Sequence, residues 1–204
     1  MVVLSVSGCR PDAPSIKKDY GIPKGVTVDT VIGYKAFTVG YSAKHLQPLW
    51  VSYLLTGEHV FITENTPKVG RNFMPDPNLA IAQANYYDYS NSGYVRGHMA
   101  RKMDFKWDSE AVQESDYMTN ICPQTSDLNG GVWLRIENMA RKMAMRYDSL
   151  YIVCGPLFTQ NDTICIGTTQ IHIPSLFYKA FLFKKNAEWH SVAFLVPHDE
   201  IHRR

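Results

Sequence analysis

Gly93-Tyr94-Val95-Arg96-Gly97-His98-Met99-Ala100 is the segment from which the rest of the chain is read most profitably. Histidine is the usual side chain for taking a proton near neutral pH. A lone histidine, however, is more often structural or merely exposed than catalytic. His98 differs by its company. Arg96 stands beside it and Gly97 permits close backbone approach. Downstream come Asn120-Ile121-Cys122-Pro123-Gln124 and then Asp127-Leu128-Asn129, the latter opening the clearest helix of the chain.

That helix is expected over residues 131–147. Trp133, Ile136, Ala140, Met143 and Tyr147 recur at intervals of three, four, three and four, which makes one buried face. Asp108 has the character of an N-cap for a short helix ending near Ser115. Strands are expected over residues 34–39 and 49–54, where β-branched and aromatic residues cluster. Further strands are expected over residues 149–154, 163–173, 177–183 and 189–196, several of them alternating as a half-buried antiparallel sheet should. Residues 67–89, with Pro75 and Pro77, read as a long loop of the functional kind. The fold class is α+β, with helices on a central antiparallel β-sheet.

Composition limits the function. With 204 residues, 45% hydrophobic and 20% charged, the chain can bury one sizeable core. No apolar run reaches the roughly 18 residues of a membrane-spanning helix. Lys and Arg number 21 against 19 Asp and Glu, a formal charge of +2. Bulk charge that small cannot hold a polyanion, so such a partner needs a local basic cluster. Arg96, Arg101, Lys102 and Lys106, with Arg135, Arg141, Lys142 and Arg146 on the long helix, could form one. The four cysteines (Cys9, Cys122, Cys154, Cys165) show no CxxC pairing, against a zinc ribbon. Cys122 and Cys154 could be neighbours, and spacing alone does not say whether they bridge.

Residues 1–30 read as an N-terminal tether and residues 31–204 as the folded domain. Val6-Ser7-Gly8-Cys9 reads like a bacterial lipobox, in which Cys9 would be lipidated and anchor an exported lipoprotein to a membrane. An ordinary N-terminus is the competing reading.

The segment around His98 resembles the signature of the DNA/RNA non-specific endonuclease family, the ββα-metal nucleases that include endonuclease G. The family's Asp-Arg-Gly-His stands here as Val95-Arg96-Gly97-His98. Tyr117-Met118-Thr119-Asn120-Ile121-Cys122-Pro123-Gln124 is similar to a second block. Leu128-Asn129, Trp133, Glu137 and Arg141 match the metal-binding helix, Arg71-Asn72-Phe73-Met74-Pro75-Asp76-Pro77 the arginine-bearing loop, and Gly155-Pro156-Leu157 a later turn. The resemblance implies a ββα-metal site that hydrolyses DNA and RNA without sequence preference and leaves 5′-phosphate ends. It implies His98 as general base, Arg96 and Glu137 as its catalytic companions, and Asn129 as ligand of Mg²⁺, with Mn²⁺ able to substitute. Arg71, Arg141 and Asn120 are implied to contact or position the substrate. Beyond DNA and RNA no protein partner is evident, and a homodimer stays open.

The chemistry is coherent without the family name. Phosphodiester hydrolysis needs an activated water and charge stabilised on phosphate and leaving oxygen. An asparagine carbonyl suits Mg²⁺, which keeps several waters and takes few protein ligands. Asn129, Trp133, Glu137 and Arg141, spaced by four, would form one stripe on a regular helix. Glu137 and Arg141 could equally form an ordinary surface ion pair.

Two departures stand out. Val95 replaces the family's Asp, which raises the alternative of a catalytically impaired nucleic-acid-binding module. Family members also continue past the strand over residues 189–196, whereas this chain stops at Arg204. A rival reading, His198 and His202 as a zinc pair, lacks the Glu directly after the first His that a zinc protease requires.

Overall fold

The computed structural model describes residues 22–64, 66, 70–160 and 162–198. The lipobox at Cys9, most of the tether and residues 199–204 lie outside the described residues. The chain runs β1 (Thr30–Gly33), β2 (Phe37–Ser42), β3 (Gln47–Thr56), α1 (Gly57–Glu64), β4 (Val95–His98), α2 (Ser109–Ser115), β5 (Ile121–Gln124), α3 (Leu134–Tyr147), β6 (Ser149–Leu157), β7 (Cys165–Ile166), β8 (Ile171–His172), β9 (Leu176–Lys185) and β10 (Glu188–Pro197).

Six strands form one sheet in the order β1-β2-β3-β6-β9-β10, every neighbouring pair antiparallel. The α+β class with a central antiparallel sheet is therefore the observed one. Strand β3 lies inside the sheet and is largely buried along both faces, which is why Leu49-Trp50-Val51-Ser52-Tyr53-Leu54-Leu55 reads as a run rather than an alternation. The main core gathers Phe37, Val51, Tyr53, Ile152, Phe177 and Phe181 from the sheet with Phe105, Trp133, Ile136 and Ala140. Packed across β3, β6 and β9, α3 buries Ile136, Ala140 and Ala144, as its periodicity demands. It stops at Asp148, whose φ of 65° takes the backbone out of the helix.

The expected short helix is α2, and Asp108 caps it by accepting from the N–H groups of Glu110 and Ala111. The expected long helix differs at its start. Residues Leu128–Trp133 form a wide π-type turn, with Gly131 outside helical geometry at φ −101° and ψ −107°, and the regular helix begins only at Leu134. Two adjacent glycines, Gly130 and Gly131, make that distortion cheap.

The strand expected over residues 163–173 is instead a small hairpin, β7 and β8, turning through Gly167 and Gln170, both at positive φ. Asp88 explains the turn. Its carboxylate accepts from the backbone N–H of Thr168 (2.7 Å) and Thr169 (3.3 Å), from both threonine hydroxyls, and from Asn85 N–H (2.9 Å). Burial opposes the Asp88 charge, but these donors outweigh it and hold the carboxyl below its ordinary range. A depressed folded-state value stabilises above the unfolded pKa, and that stability is lost as pH falls through the folded one. Wild type is expected to exceed Asp88→Asn by about 1.5–3 kcal/mol at neutral pH. In denaturant melts the gap should narrow as pH drops below about 4. A gap independent of pH would show that the ionised carboxylate does not stabilise the turn.

Candidate active site

Outside the main sheet, β4 and β5 form a two-stranded ribbon in the register Val95↔Gln124, Arg96↔Pro123, Gly97↔Cys122 and His98↔Ile121. Strand alternation puts Arg96 and His98 on one face and Val95 and Gly97 on the other. Gly97 is required there, because a Cβ would lie 2.1 Å from Oε1 of Gln124, a fully buried side chain with no room to swing. Asn120, just before β5, locks the ribbon's end. Its Oδ1 accepts from Ala100 N–H (2.9 Å), and its Nδ2 donates to the carbonyls of Ala100 (2.9 Å) and Ser115 (2.8 Å). Fully buried, with both amide hydrogens donated and its oxygen accepting, Asn120 acts as a clasp and is not among the residues lining the cleft.

The ribbon, the π-type turn and the first turn of α3 enclose a cleft of about 360 Å³. It is lined by His98, Asn129 and Glu137 and by Arg71, Arg96, Arg101, Lys102 and Lys106. The basic cluster is thus real, though drawn from the ribbon, the loop and the segment after His98. The cations expected from α3 (Arg135, Arg141, Lys142, Arg146) do not line the cleft.

Arg96 is held by the Tyr86 carbonyl, to which it donates at 3.1 Å. Its guanidinium also lies over the rings of Tyr86 (4.3 Å) and Phe73 (5.1 Å). An uncharged residue at position 95 therefore does not leave Arg96 without support. His98 places its ring 5.2 Å from Phe73 and its Nε2 3.0 Å from Oδ1 of Asp116. Lys102 Nζ and the Asn72 N–H (2.6 Å) both bond the other oxygen, Oδ2. Burial works against the Asp116 charge, yet the bonds from His98, Lys102 and the Asn72 backbone hold its carboxyl below the ordinary range.

Glu137 is buried at the cleft wall between Lys179 Nζ (3.5 Å) and Arg101 Nε (3.4 Å). Burial pushes its carboxyl up, and those two cations oppose the shift. Lys179, fully buried on β9, also sits 4.3 Å above the Trp133 ring. Trp133 in turn donates from Nε1 to the His98 carbonyl at 3.3 Å, tying helix to ribbon.

The residues of the four-residue stripe go to different places. Asn129 and Glu137 reach the cleft, Trp133 enters the core, and Arg141 turns away. The Arg141 guanidinium donates to Oδ1 of Asp104 (2.9 Å) and to Oγ1 of Thr63 (3.0 Å), with Glu64 at 3.6 Å. That buried arrangement corrects both expectations for Arg141, the phosphate contact and the pairing with Glu137. Nor is His198 a zinc ligand. Its Nε2 accepts from Thr125 N–H (3.0 Å) and its Nδ1 lies 2.7 Å from the Pro174 carbonyl. Cys122, Cys154 and Cys165 are free thiols.

Asp116 and Lys179 escaped the sequence reading. Lys179 carried a signal, being the charged residue at an inward position between Phe177 and Phe181. Asp116 carried none, since nothing local links it to His98.

Among the described residues no cluster of three or more His, Cys, Asp or Glu could hold a metal. A divalent cation here would have the Asn129 carbonyl as its protein ligand. That donor set fits Mg²⁺, which tolerates a single protein oxygen and completes its shell with water. It does not fit zinc.

A β-ribbon bearing the histidine, followed by a helix bearing the asparagine and glutamate, all set beside an antiparallel sheet, is the ββα-metal nuclease fold. The chain belongs to the DNA/RNA non-specific endonuclease family, whose pattern matches residues 18–204. It is 32% identical over 220 residues to the mitochondrial nuclease EXOG of Mus musculus, covering 94% of this chain and 59% of that one. It is 34% identical over 186 residues to the nuclease of Serratia marcescens, covering 86% and 67%. A chain of the crystal structure of the EndoG/EndoGI complex shares the fold, with a TM-score of 0.77 at 24% identity, over 85% of this chain and 76% of that one. The chain spans under two thirds of the mitochondrial EXOG relatives, 57% of the Xenopus laevis protein.

Proposed function

We propose that the chain is a metal-dependent, sequence-nonspecific endonuclease that hydrolyses phosphodiester bonds of DNA and RNA. The observation that carries the reading is one cleft holding a histidine, an asparagine oxygen, a buried carboxylate and five cations.

Arg71 and Arg96 would grip the phosphate, whose planar recognition suits guanidinium. Arg96 is the better prepared of the two, since Tyr86 and Phe73 fix its plane. His98 takes the proton of the attacking water. Asn129 would hold Mg²⁺, which when bound supplies charge at the phosphate and leaving oxygens. Glu137, fixed between Lys179 and Arg101, orients water at the cleft wall. Contacts made to phosphate carry no sequence information, hence the lack of specificity.

A binding module disabled by Val95 is the second reading. It is disfavoured because Val95 lies on the ribbon face away from His98 and Arg96 keeps other partners. Purified protein is expected to degrade plasmid DNA and single-stranded RNA in Mg²⁺, to stop in excess EDTA, and to lose rate steeply as salt rises. Retardation of both nucleic acids without cleavage, by folded protein in Mg²⁺, would establish the binding module instead.

A further inference from the structure

We infer that Asp116 is the positioning residue of His98, and that it fixes which ring nitrogen takes the proton. The inference rests on the nuclease reading above for its catalytic consequence, though not for its geometry.

Asp116 is a well-anchored group. Its side chain is only 1% exposed. Its backbone closes α2 by donating to Gln113 (3.0 Å), and its carbonyl accepts from Met74 N–H (3.3 Å). The two carboxylate oxygens have separate duties. Oδ2 takes Lys102 and the Asn72 N–H, both pure donors, and Oδ1 faces Nε2 of His98. An ionised carboxylate only accepts hydrogen bonds, so Nε2 must carry the proton. In the neutral ring the lone pair is then on Nδ1. Nδ1 is therefore the atom that accepts a proton from water, and the imidazolium so formed lies against a fixed negative charge that stabilises it. The same carboxylate ties down Asn72, the neighbour of Arg71, and Lys102, another cation of the cleft. One buried group thus sets the geometry of the base and two cationic parts of the cleft.

The donors on Oδ2 make an isosteric test decisive. In Asp116→Asn, Lys102 and the Asn72 N–H require the amide carbonyl on their side. The amide NH₂ must then face His98 and donate to Nε2, which moves the ring proton to Nδ1. A purely structural role would survive this change of shape-matched side chain; the base would not.

The experiment is ¹⁵N NMR of the His98 ring in wild type and Asp116→Asn, with steady-state cleavage in Mg²⁺. The wild-type neutral ring is expected to be protonated at Nε2 and the variant ring at Nδ1. The variant's kcat is expected to fall roughly 100- to 10,000-fold, with KM little changed. A wild-type ring protonated at Nδ1 overturns the inference even if the variant fails to fold. So does a folded variant that keeps wild-type kcat. Wild-type protein that cuts nothing would refute the nuclease reading, while the wild-type tautomer would still decide the Asp116–His98 relation.

Discussion

His98→Ala is expected to lower kcat for plasmid cleavage in Mg²⁺ roughly 100- to 10,000-fold, the usual contribution of a positioned general base. The loss should be chemical rather than structural. Trp133 still donates to the carbonyl of residue 98, and Asp116, though it loses the ring, keeps Lys102 and the Asn72 N–H on its other oxygen. The ring itself is at the cleft wall, its side chain 13% exposed. Binding should persist, since Arg71, Arg96, Arg101, Lys102 and Lys106 remain. Gel retardation in EDTA beside initial cleavage rates in Mg²⁺ separates the two effects. A variant cutting at the wild-type rate would remove His98 from the role of base.

Arg141→Ala is expected to destabilise the fold by about 3–5 kcal/mol, because it strands a buried charge. Asp104 has a side chain 1% exposed and receives Arg141 at 2.9 Å, with the Tyr53 hydroxyl donating to its other oxygen at 3.2 Å. Without the guanidinium the carboxylate stays buried with a single neutral donor among these partners. Pairing Arg141→Met with Asp104→Leu should restore much of the loss, since exchanging a whole buried ion pair for apolar side chains is often close to neutral. Urea melts measure both. Cleavage per folded molecule should be unaffected in the double variant, as Arg141 does not line the cleft. A stable Arg141→Ala protein with weakened nucleic-acid binding would instead restore the phosphate-contact reading.

What the sequence disclosed follows the range of the forces involved. Asp108 was readable as a cap because the N–H groups it accepts from are two and three residues away, and the buried face of α3 because helical periodicity repeats within its own length. His98, Arg96 and Asn129 could be grouped in the sequence by residue type and local setting, and all three line the cleft. The ribbon was not readable. Its strands are four residues each and contain Gly97 and Pro123, which hide strand character. Arg141 was misplaced because a spacing of four gives only the shared helix face, whereas one turn beyond Glu137 on regular α3 that face meets Asp104 and Thr63 instead of the cleft. Its true partner, Asp104, is 37 residues away. Asp116 meets His98 across 18 residues of chain, and Lys179 meets Glu137 from another strand. Such long-range ion pairs leave little trace in local pattern, and here they hold the site together.

The most direct measurement is end-group mapping of fragments from mixed-sequence DNA and RNA strands incubated with the protein in Mg²⁺. Cuts are expected at many positions in both strands, each leaving a 5′-phosphate. Intact strands, or cuts confined to one sequence, would contradict the proposed function.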